Sequence, residues 1–417
     1  MMKGRRSQEI LLLSTVFLAY VGASIGVPIF TPLLLGDSLG TFVPDEWTQQ
    51  SRSIVLGILI AVYPLGQFFG APILGRISDR HGRRPAMIYT LFGAAFGCLI
   101  TAYAIYSKYI PLLIISRLVT GFLEGNIAVA RSSIADVSDD STKHKNFGRI
   151  AAVGTAGITI GPIVGGVLSD NSVANYLNPY APFYLAALLL IVLAVITALF
   201  FVETHVPHDT SATEEASTAG RSRLFATIDR LGYTPALKHF LFLWVLIVIV
   251  IDLFFLYLPA FLVEKWRMSP TYIALYVASL NIWYIVGSLY LVPFLSARFK
   301  TIQVIFGGVF FYGISLILIL IPENSYYLIP IFVLCDLAAA VILVNCFVYI
   351  SNMAKGAHQG EAMGIALGLR SLAGAGVGLL GGLLLASSAY LTIIASVVVS
   401  AVVLALLVLF YVKDLER

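Results

Sequence analysis

Charged residues are scarce in this chain of 417 residues: Asp, Glu, Lys and Arg together make up only 12% of it. Soluble globular proteins carry about 25% charged residues, so this shortage argues against an ordinary soluble fold. Hydrophobic residues fill 59% of the sequence, and a helix needs about twenty of them to cross a bilayer. We therefore predict an all-α polytopic protein in the lipid bilayer. Its net charge of +4 follows membrane topology and does not indicate nucleic-acid binding.

Cysteine is also rare. Cys98, Cys335 and Cys346 lie inside apolar runs, which predicts small core side chains rather than disulfides. The chain lacks the pattern Gly-x-x-x-x-Gly-Lys-Ser/Thr, the loop that cradles nucleotide phosphates. This absence argues against ATP hydrolysis within the chain, so the energy for any transport must come from an ion gradient or from the substrate's own gradient. We predict no enzymatic activity, no metal and no cofactor.

Uncharged or nearly uncharged stretches recur twelve times, in two groups of six. The predicted spans are 10–35, 53–75, 86–107, 110–136, 150–169 and 181–202, then 239–263, 269–297, 301–321, 325–353, 362–387 and 388–412. Glycines and prolines recur at corresponding places in the two groups, which supports two pseudo-symmetric repeats. We predict an N-terminal six-helix bundle at 1–203, a cytoplasmic linker at 204–238 and a C-terminal six-helix bundle at 239–417. The linker contains a short interfacial helix or is an ordinary solvated connection.

The positive residues decide the predicted orientation. With both termini inside, nineteen Lys and Arg residues fall in inner loops and tails, and only Arg52, Lys108, Lys265 and Arg267 fall in outer loops. Cytoplasmic loops carry the excess of positive charge, so we predict that both termini are cytoplasmic. The chain has no Asn-x-Ser/Thr glycosylation site and its outer loops are short, which suits a bacterial inner (plasma) membrane.

The connection after the second span carries a distinctive run, Gly75-Arg-Ile-Ser-Asp79-Arg80-His-Gly82-Arg83-Arg84. Asp79 can meet Arg83 and also the positive N-terminal end of a nearby helix. Asp136, at the inner end of span 4, is a second candidate partner for these arginines. The alternative is a merely basic cytoplasmic turn.

Span 5 carries a glycine pattern, Gly157-Ile-Thr-Ile-Gly161-Pro162-Ile-Val-Gly165-Gly166. Glycines three to five residues apart let another helix approach closely, and a proline bends its helix. The alternative is an ordinary tight helix crossing. Span 4 adds Arg117-Leu-Val-Thr-Gly121.

Together these segments closely resemble the signatures of the major facilitator superfamily of secondary transporters. The span 5 pattern looks like that of its drug/proton antiporter branch, to which the tetracycline exporters belong. The resemblance implies two six-helix bundles that rock between inward and outward openings. It implies that the span 5 glycines seal the two halves together. It also implies a charge cluster that latches the cytoplasmic side, formed by Gly75, Asp79, Arg80, Gly82, Arg83 and Asp136.

Six ionisable residues fall well inside the predicted spans: Arg117, Glu124, Arg131, Asp252, Asp336 and Arg370. Each costs about 2.5–3.5 kcal/mol on insertion scales, so each should face protein or water and find a partner. The three on span 4 are seven residues apart and share one helical face, each about 10.5 Å along the axis from the last. Three cations and three anions permit complete pairing.

Burial disfavours the charged form of a carboxylate and a nearby arginine favours it, so opening and closing can switch proton affinity. The candidate proton carriers are Glu124, Asp252 and Asp336; for Glu124 the alternative is a permanent ion pair with Arg117 or Arg131. The resemblance implies that spans 1, 4, 7 and 10 line a central cavity. Candidate substrate or cavity residues are Arg117, Arg131, Arg370, Asn281, Asn345 and Tyr20. Arg131 alternatively snorkels to the headgroups, and Arg370 alternatively neutralises Asp336.

We predict a monomeric, proton-coupled exporter of a small organic molecule that works by alternating access. One alternative is an uptake carrier for a nutrient such as an amino acid or a metal-chelating metabolite. A second alternative is a non-transporting sensor or lipid-handling protein. Three arginines in the membrane leave room for a carboxylate-bearing substrate in either direction of transport.

Overall fold

The computed structural model describes residues 2–36, 42–44, 46–124, 126–136, 140–175, 177–204, 235–354 and 359–415. Within these ranges the chain is helical and contains no β-strand. The first eight helices are α1 Met2–Ser24, α2 Val27–Leu35, α3 Gln49–His81, α4 Arg83–Tyr106, α5 Ile110–Leu123, α6 Asn126–Asp136, α7 Asp140–Ser169 and α8 Ala181–Phe200. The next seven are α9 Pro235–Trp266, α10 Pro270–Val286, α11 Val292–Ser296, α12 Thr301–Ile319, α13 Leu328–Ala354, α14 Gln359–Leu385 and α15 Ala389–Leu415.

Membrane-crossing length and apolar composition recur along the described chain. Eleven candidate spans are long and apolar enough to cross a bilayer, and a shorter apolar helix, Ile110–Leu123, stands at the position of the fourth predicted span. Large apolar side chains on these helices are exposed, among them Tyr89, Leu199 and Leu409. Such side chains are expected where lipid rather than water covers the surface. The predicted all-α polytopic fold is confirmed.

Span 4 differs from the single continuous helix that the sequence predicts. Helix α5 gives way at Glu124, whose ψ of 8° is not helical, and α6 begins at Asn126. The amide of Ile127 donates to the carbonyl of Glu124 at 3.2 Å, which is the i+3 pattern of a 3₁₀ turn. The two arginines of span 4 therefore lie on different helices.

Two other predicted spans are also irregular. The first is divided into α1 and α2 at Gly26, and Pro28 stands in the first turn of α2. A proline is tolerated there because its missing N–H would have no partner within the helix. In the eighth span a π-helical turn, Gly287–Leu291, separates α10 from α11. Such turns insert one extra residue per turn and are frequent at functional sites.

The described residues form two compact units. Unit 1 comprises those within Met1–Pro207, Phe255–Ile282 and Gly374–Thr392, and unit 2 those within His208–Phe254, Trp283–Ala373 and Ile393–Arg417. The predicted bundle boundaries at 203 and 239 stay a prediction. The predicted interfacial helix at 224–231 lies outside the described residues.

Glycines set the closest helix crossing in unit 1, between α3 and α5. A Cβ on Gly66 would lie 2.4 Å from the carbonyl oxygen of Leu118, and one on Gly70 would lie 2.0 Å from that of Phe122. From the other side, a Cβ on Gly121 would lie 2.2 Å from the carbonyl oxygen of Tyr63. Only glycines permit this approach, and the crossing brings polar side chains of α3 against α5.

Unit 2 packs around large aromatic side chains. Trp244, Tyr312 and Phe332 are fully buried, and the indole Nε1 of Trp244 donates to the carbonyl oxygen of Ala366 at 3.0 Å. A buried tryptophan needs a partner for its N–H, so this bond ties α9 to α14.

Candidate functional site

The charged residues at the junction of α3 and α4 form a compact cluster around Arg83, which is only 6% exposed. Its Nε donates to Oδ2 of Asp136 at 2.9 Å, and its Nη1 donates to Asp79 and to Oγ of Ser78 at 3.0 Å. The side chain of Asp79 is 59% exposed and that of Asp136 24% exposed. Arg83 thus joins this junction to the end of α6. We call these four residues the Arg83 cluster.

Glu203, just after α8, completes this end of unit 1. Its two carboxylate oxygens accept from the backbone N–H groups of Arg83 at 2.8 Å and Arg84 at 3.0 Å. The carboxylate therefore caps the N-terminus of α4, where it also meets the positive end of the helix dipole. The sequence prediction did not include Glu203, because nothing in a lone acid after span 6 signals a partner 120 residues earlier.

Two glycines near this junction, Gly82 and Gly75, differ in whether the structure requires a glycine at their positions. Gly82 has φ of +96°, which L side chains rarely adopt, and a Cβ there would lie 2.5 Å from Oε2 of Glu203. A Cβ on Gly75 would meet nothing within 4 Å, so packing does not require that glycine. Arg80 is exposed. The predicted role of this cluster as a cytoplasmic latch stays a prediction.

Glu124 lies at the end of α5 and is 5% exposed. Its Oε2 accepts a hydrogen bond of 2.8 Å from Nε2 of Gln67 on α3. Among the described residues it forms no ion pair, with either Arg117 or Arg131. The permanent ion pair that the sequence allowed is therefore not present. Gln67 was not predicted, because its partner is reached only through the glycine crossing of α3 and α5.

Arg117, which precedes Leu118 of that crossing in α5, is 6% exposed. Its guanidinium carbon lies 4.3 Å from the centre of the Tyr63 ring and 5.1 Å from that of Phe30. Its Nε is buried without a hydrogen-bond partner. The predicted arginine is thus held by aromatic faces, which attract a cation but leave its N–H groups unused.

Arg131 is separated from Arg117 by the irregularity at the end of α5. Its Nη2 donates to the hydroxyl oxygen of Tyr20 at 3.0 Å, so two predicted cavity residues meet across α6 and α1. Asn281 also belongs to unit 1, and its Nδ2 is buried without a hydrogen-bond partner.

Unit 2 holds the remaining predicted residues. Nη2 of Arg370 lies 3.8 Å from Oδ1 of Asp252. The expectation that Arg370 neutralises Asp336 is not met, because the described part of the chain shows no ion pair between them, and Oδ2 of Asp336 is buried without a partner. Asn345 accepts from Oγ of Ser296 at 3.1 Å and donates to a backbone carbonyl of its own helix.

The span 5 glycines pack in two directions. A Cβ on Gly161 would lie 2.1 Å from Oγ of Ser24, and Cβ atoms on Gly157 and Gly165 would strike backbone oxygens of the same segment, α1 and its end. A Cβ on Gly166 would instead lie 2.6 Å from the carbonyl oxygen of Pro270. The motif thus allows α7 to press against α1 on one face and α10 on another, while Pro162 stands within α7. Its predicted sealing role stays a prediction.

The end of unit 1 farthest from Arg83 has a second set of close contacts. The Cβ that Gly57 lacks would lie 2.6 Å from Cα of Gly382, so α3 and α14 touch through backbone there. Asp170, after α7, accepts from the backbone N–H of Thr271 at 3.4 Å. Gly57 and Asp79 are twenty-two residues apart on α3, about 33 Å at the rise of an α-helix.

The described residues contain no group of three or more His, Cys, Asp or Glu side chains that could hold a metal ion. The three cysteines are buried and free.

Comparisons with known proteins agree on one family. The model of the Major Facilitator Superfamily matches residues 12–375 and, in a second match, 240–417. The class C tetracycline resistance protein of Escherichia coli is 27% identical over 377 residues, which cover 87% of this chain and 86% of that protein. The class H protein of Pasteurella multocida is 33% identical over 199 residues, 48% of this chain. The chain spans less than half the length of the class H and class B proteins in these matches.

Solved structures share the fold at low sequence identity. The human organic anion transporter MFSD10 superposes with a TM-score of 0.67 at 18% identity, covering 97% of this chain and 99% of that one. The peptide transporter PepTSo superposes with a TM-score of 0.74 at 13% identity, covering 98% and 99%. At such identities the likeness concerns the fold alone.

Proposed function

Because the chain belongs to the major facilitator superfamily of membrane transporters, we propose that it exports a small organic molecule in exchange for protons. The relatives named as tetracycline resistance proteins support efflux and make tetracycline the first compound to test. The excess of Lys and Arg in the predicted inner loops supports a plasma-membrane location with both termini in the cytoplasm. We further propose that the transporting species is a monomer.

The observation that carries the proton coupling is the environment of Glu124. Its carboxylate is buried, and it accepts a hydrogen bond from the neutral amide of Gln67. A carboxylate paired with a fixed cation would leave that cation uncompensated on protonation, at a cost of several kcal/mol. Among the described residues no Lys or Arg lies within ion-pair distance of Glu124, so protonation of its carboxylate breaks no ion pair.

The irregular backbone at Glu124 also favours a role in transport. Non-helical backbone within a membrane is tolerated only inside protein or beside a water-filled cavity, and interrupted helices commonly carry the ion sites of secondary transporters. Asp336, whose Oδ2 is buried without a partner, is the second candidate carrier. Asp252 is the third, because Arg370 already lies near it.

Alternating access requires different contacts at the two ends of the protein. In unit 1 the Arg83 cluster occupies one end, and the glycine contact of Gly57 with Gly382 occupies the other. We propose that the first end opens toward the cytoplasm and the second toward the outside, each in turn. Backbone contacts through glycine separate without breaking ion pairs.

The test uses the full chain in sealed vesicles that contain a pH-sensitive dye and tetracycline on one side. An imposed proton gradient should drive tetracycline against its own gradient, with protons moving the opposite way. Glu124→Gln should abolish this proton-driven movement and keep the exchange of labelled for unlabelled tetracycline, which needs no net proton transfer. Glu46→Gln, in an exposed outer loop, is the matched control and should behave as the parent chain.

Proton movement in the same direction as tetracycline would contradict export and indicate uptake. Full proton coupling in Glu124→Gln would remove Glu124 as the carrier, and the same measurement on Asp336→Asn would then decide whether unit 2 supplies it.

A further inference from the structure

Three arginines lie within the predicted spans, and they differ in their hydrogen-bond and ion-pair partners. Arg131 donates to the hydroxyl of Tyr20, and Arg370 lies 3.8 Å from a carboxylate oxygen of Asp252. Arg117 has neither kind of partner: among the described residues it forms no hydrogen bond and no ion pair. The least exposed of the three cations is therefore also the one without an acceptor for its N–H groups.

Aromatic rings hold Arg117 in place without neutralising it. Its guanidinium carbon is 4.3 Å from the Tyr63 ring and 5.1 Å from the Phe30 ring. Cation–π attraction offsets part of the cost of burying a cation, but ring faces accept no strong hydrogen bond from Nε, which is buried and unpartnered. A buried donor without an acceptor is a costly arrangement in a protein, and in a membrane it marks a functional position.

The acid of the same span does not supply the missing acceptor. Glu124 is seven residues further along, about 10.5 Å along a helix axis, and its carboxylate is engaged by Gln67. The planar guanidinium presents N–H groups in a fork that matches a carboxylate. An acceptor brought from outside the protein would therefore complete the site.

We propose that Arg117 is the anion-binding group of the transport site, and that the transported molecule carries a delocalised oxyanion, such as a carboxylate or the enolate of tetracycline, next to an apolar or aromatic body. If the chain transports a small organic molecule, as proposed above, this names the chemical class of that molecule. The oxyanion accepts from the guanidinium of Arg117, and the adjoining body lies against Phe30 and Tyr63. Arg131 and Arg370 already have partners and take no part in this recognition.

The test measures thermal unfolding of the purified full chain with matched pairs of acids and neutral amides. The probes are 2-naphthoate with 2-naphthamide, and indole-3-acetate with indole-3-acetamide. Each acid should raise the melting temperature with increasing concentration, because a compound that binds only the folded state stabilises it, and each amide should raise it much less. Arg117→Met should abolish the acid-specific rise. Arg117→Lys, which keeps the charge and loses the fork, should weaken acid binding by about tenfold or more.

The melting temperature without any probe separates binding from a structural role. Arg117→Met removes a buried cation that has no ion pair among the described residues and keeps an apolar stem, so its melting temperature should equal or exceed that of the parent chain. If Arg117→Met does not fold, Arg117→Lys decides the role of Arg117. A folded Arg117→Lys with weakened acid binding supports the anion-binding role, and any other result means that Arg117 is structural. Arg298→Met is the matched control, because Arg298 also stacks on a ring, that of Phe294 at 3.8 Å, but is exposed; it should keep the full acid effect.

Equal effects of acids and amides on the parent chain would overturn the proposal. So would a full acid effect in Arg117→Met, or an equal loss in Arg298→Met. None of these measurements uses a proton gradient. A failure of proton coupling in vesicles therefore leaves the carboxylate site standing, and a failure of acid binding leaves proton-coupled export standing.

Discussion

At the scale of single residues, burial determines which of the two carboxylates paired with Arg83 contributes more to the stability of the protein. The pair with Asp79 joins residues four apart on the surface, and the Asp79 side chain is 59% exposed. Exposed pairs of this kind contribute about 0–1 kcal/mol. The side chain of Asp136 is 24% exposed and comes from a different helix, so it has less competing water.

Asp136→Asn should therefore lower the stability of the protein more than Asp79→Asn does. We expect a loss of about 1–3 kcal/mol for the former, because it weakens the hydrogen bond of a buried, charged donor, and a loss below about 1 kcal/mol for the latter. Melting temperatures of both variants in the same detergent test this order. Equal losses, or a larger loss for Asp79→Asn, would show that burial does not rank the two pairs.

Asp170 makes the stability depend on pH. Burial alone would raise the pKa of this carboxyl, but hydrogen bonds from Ser172, Ser269 and Thr271 outweigh burial and lower the pKa. A carboxyl with a lowered folded-state pKa stabilises the fold above its unfolded value, about 3.9, and this contribution is lost as the pH falls through the folded value. Asp170→Asn should thus be less stable than the parent chain at pH 7, with the gap closing below about pH 4. A gap that stays constant from pH 7 to pH 3 would contradict the assignment.

At the scale of helices, the crossing of α3 and α5 depends on missing side chains. Gly70→Ala would place a Cβ 2.0 Å from the carbonyl oxygen of Phe122. The backbone of Phe122 cannot move aside as the tip of a flexible side chain can. We therefore expect the variant to lose about 1–3 kcal/mol of folding stability, which is typical of overpacking. The same helix supplies its own control: a Cβ on Gly75 meets nothing within 4 Å. Gly75→Ala should be neutral or should stabilise by about 0.5–1 kcal/mol, since alanine favours the helix. Equivalent melting temperatures for the two variants would rule out a tight crossing.

Helices also show what the sequence can and cannot predict. Hydropathy predicted the helical segments, and eleven helices among the described residues are long and apolar enough to cross a bilayer, because lipid forces every backbone polar group into a helix. The irregularity at Glu124 was missed, since hydropathy does not register a local weakness in backbone geometry. Gln67 and Glu203 were missed for a different reason. Each meets its partner only after distant helices have packed, 57 and 120 residues apart, and a single sequence contains no record of such pairs.

At the scale of the molecule, the same limit explains the charges in the membrane. Counting three cations and three anions suggested complete pairing. The structure instead pairs Arg370 with Asp252, joins Glu124 to a neutral amide and places Arg117 against the rings of Phe30 and Tyr63. If the substrate and the proton bind to buried charges, some of these charges cannot already be paired with other groups of the protein. Incomplete pairing of this kind is what the proposed proton-coupled carrier requires.

The contact between Gly57 and Gly382 should control whether reagents reach the end of the protein that carries Gly57. Gly382 on α14 lies against Gly57, so Gly382→Leu should hold α3 and α14 apart. Ala61, buried at 3% exposure, lies against Gly378 on the same face. A cysteine introduced there by Ala61→Cys should react slowly with a membrane-impermeant thiol reagent in the parent chain, and several-fold faster with Gly382→Leu added. Gly364→Leu, on the same helix but with open space at its Cβ, should leave the rate unchanged. If both Gly382→Leu and Gly364→Leu increase the reaction rate, the reagent reports a general loosening of the fold. If neither increases the rate, this contact does not close the end of the protein.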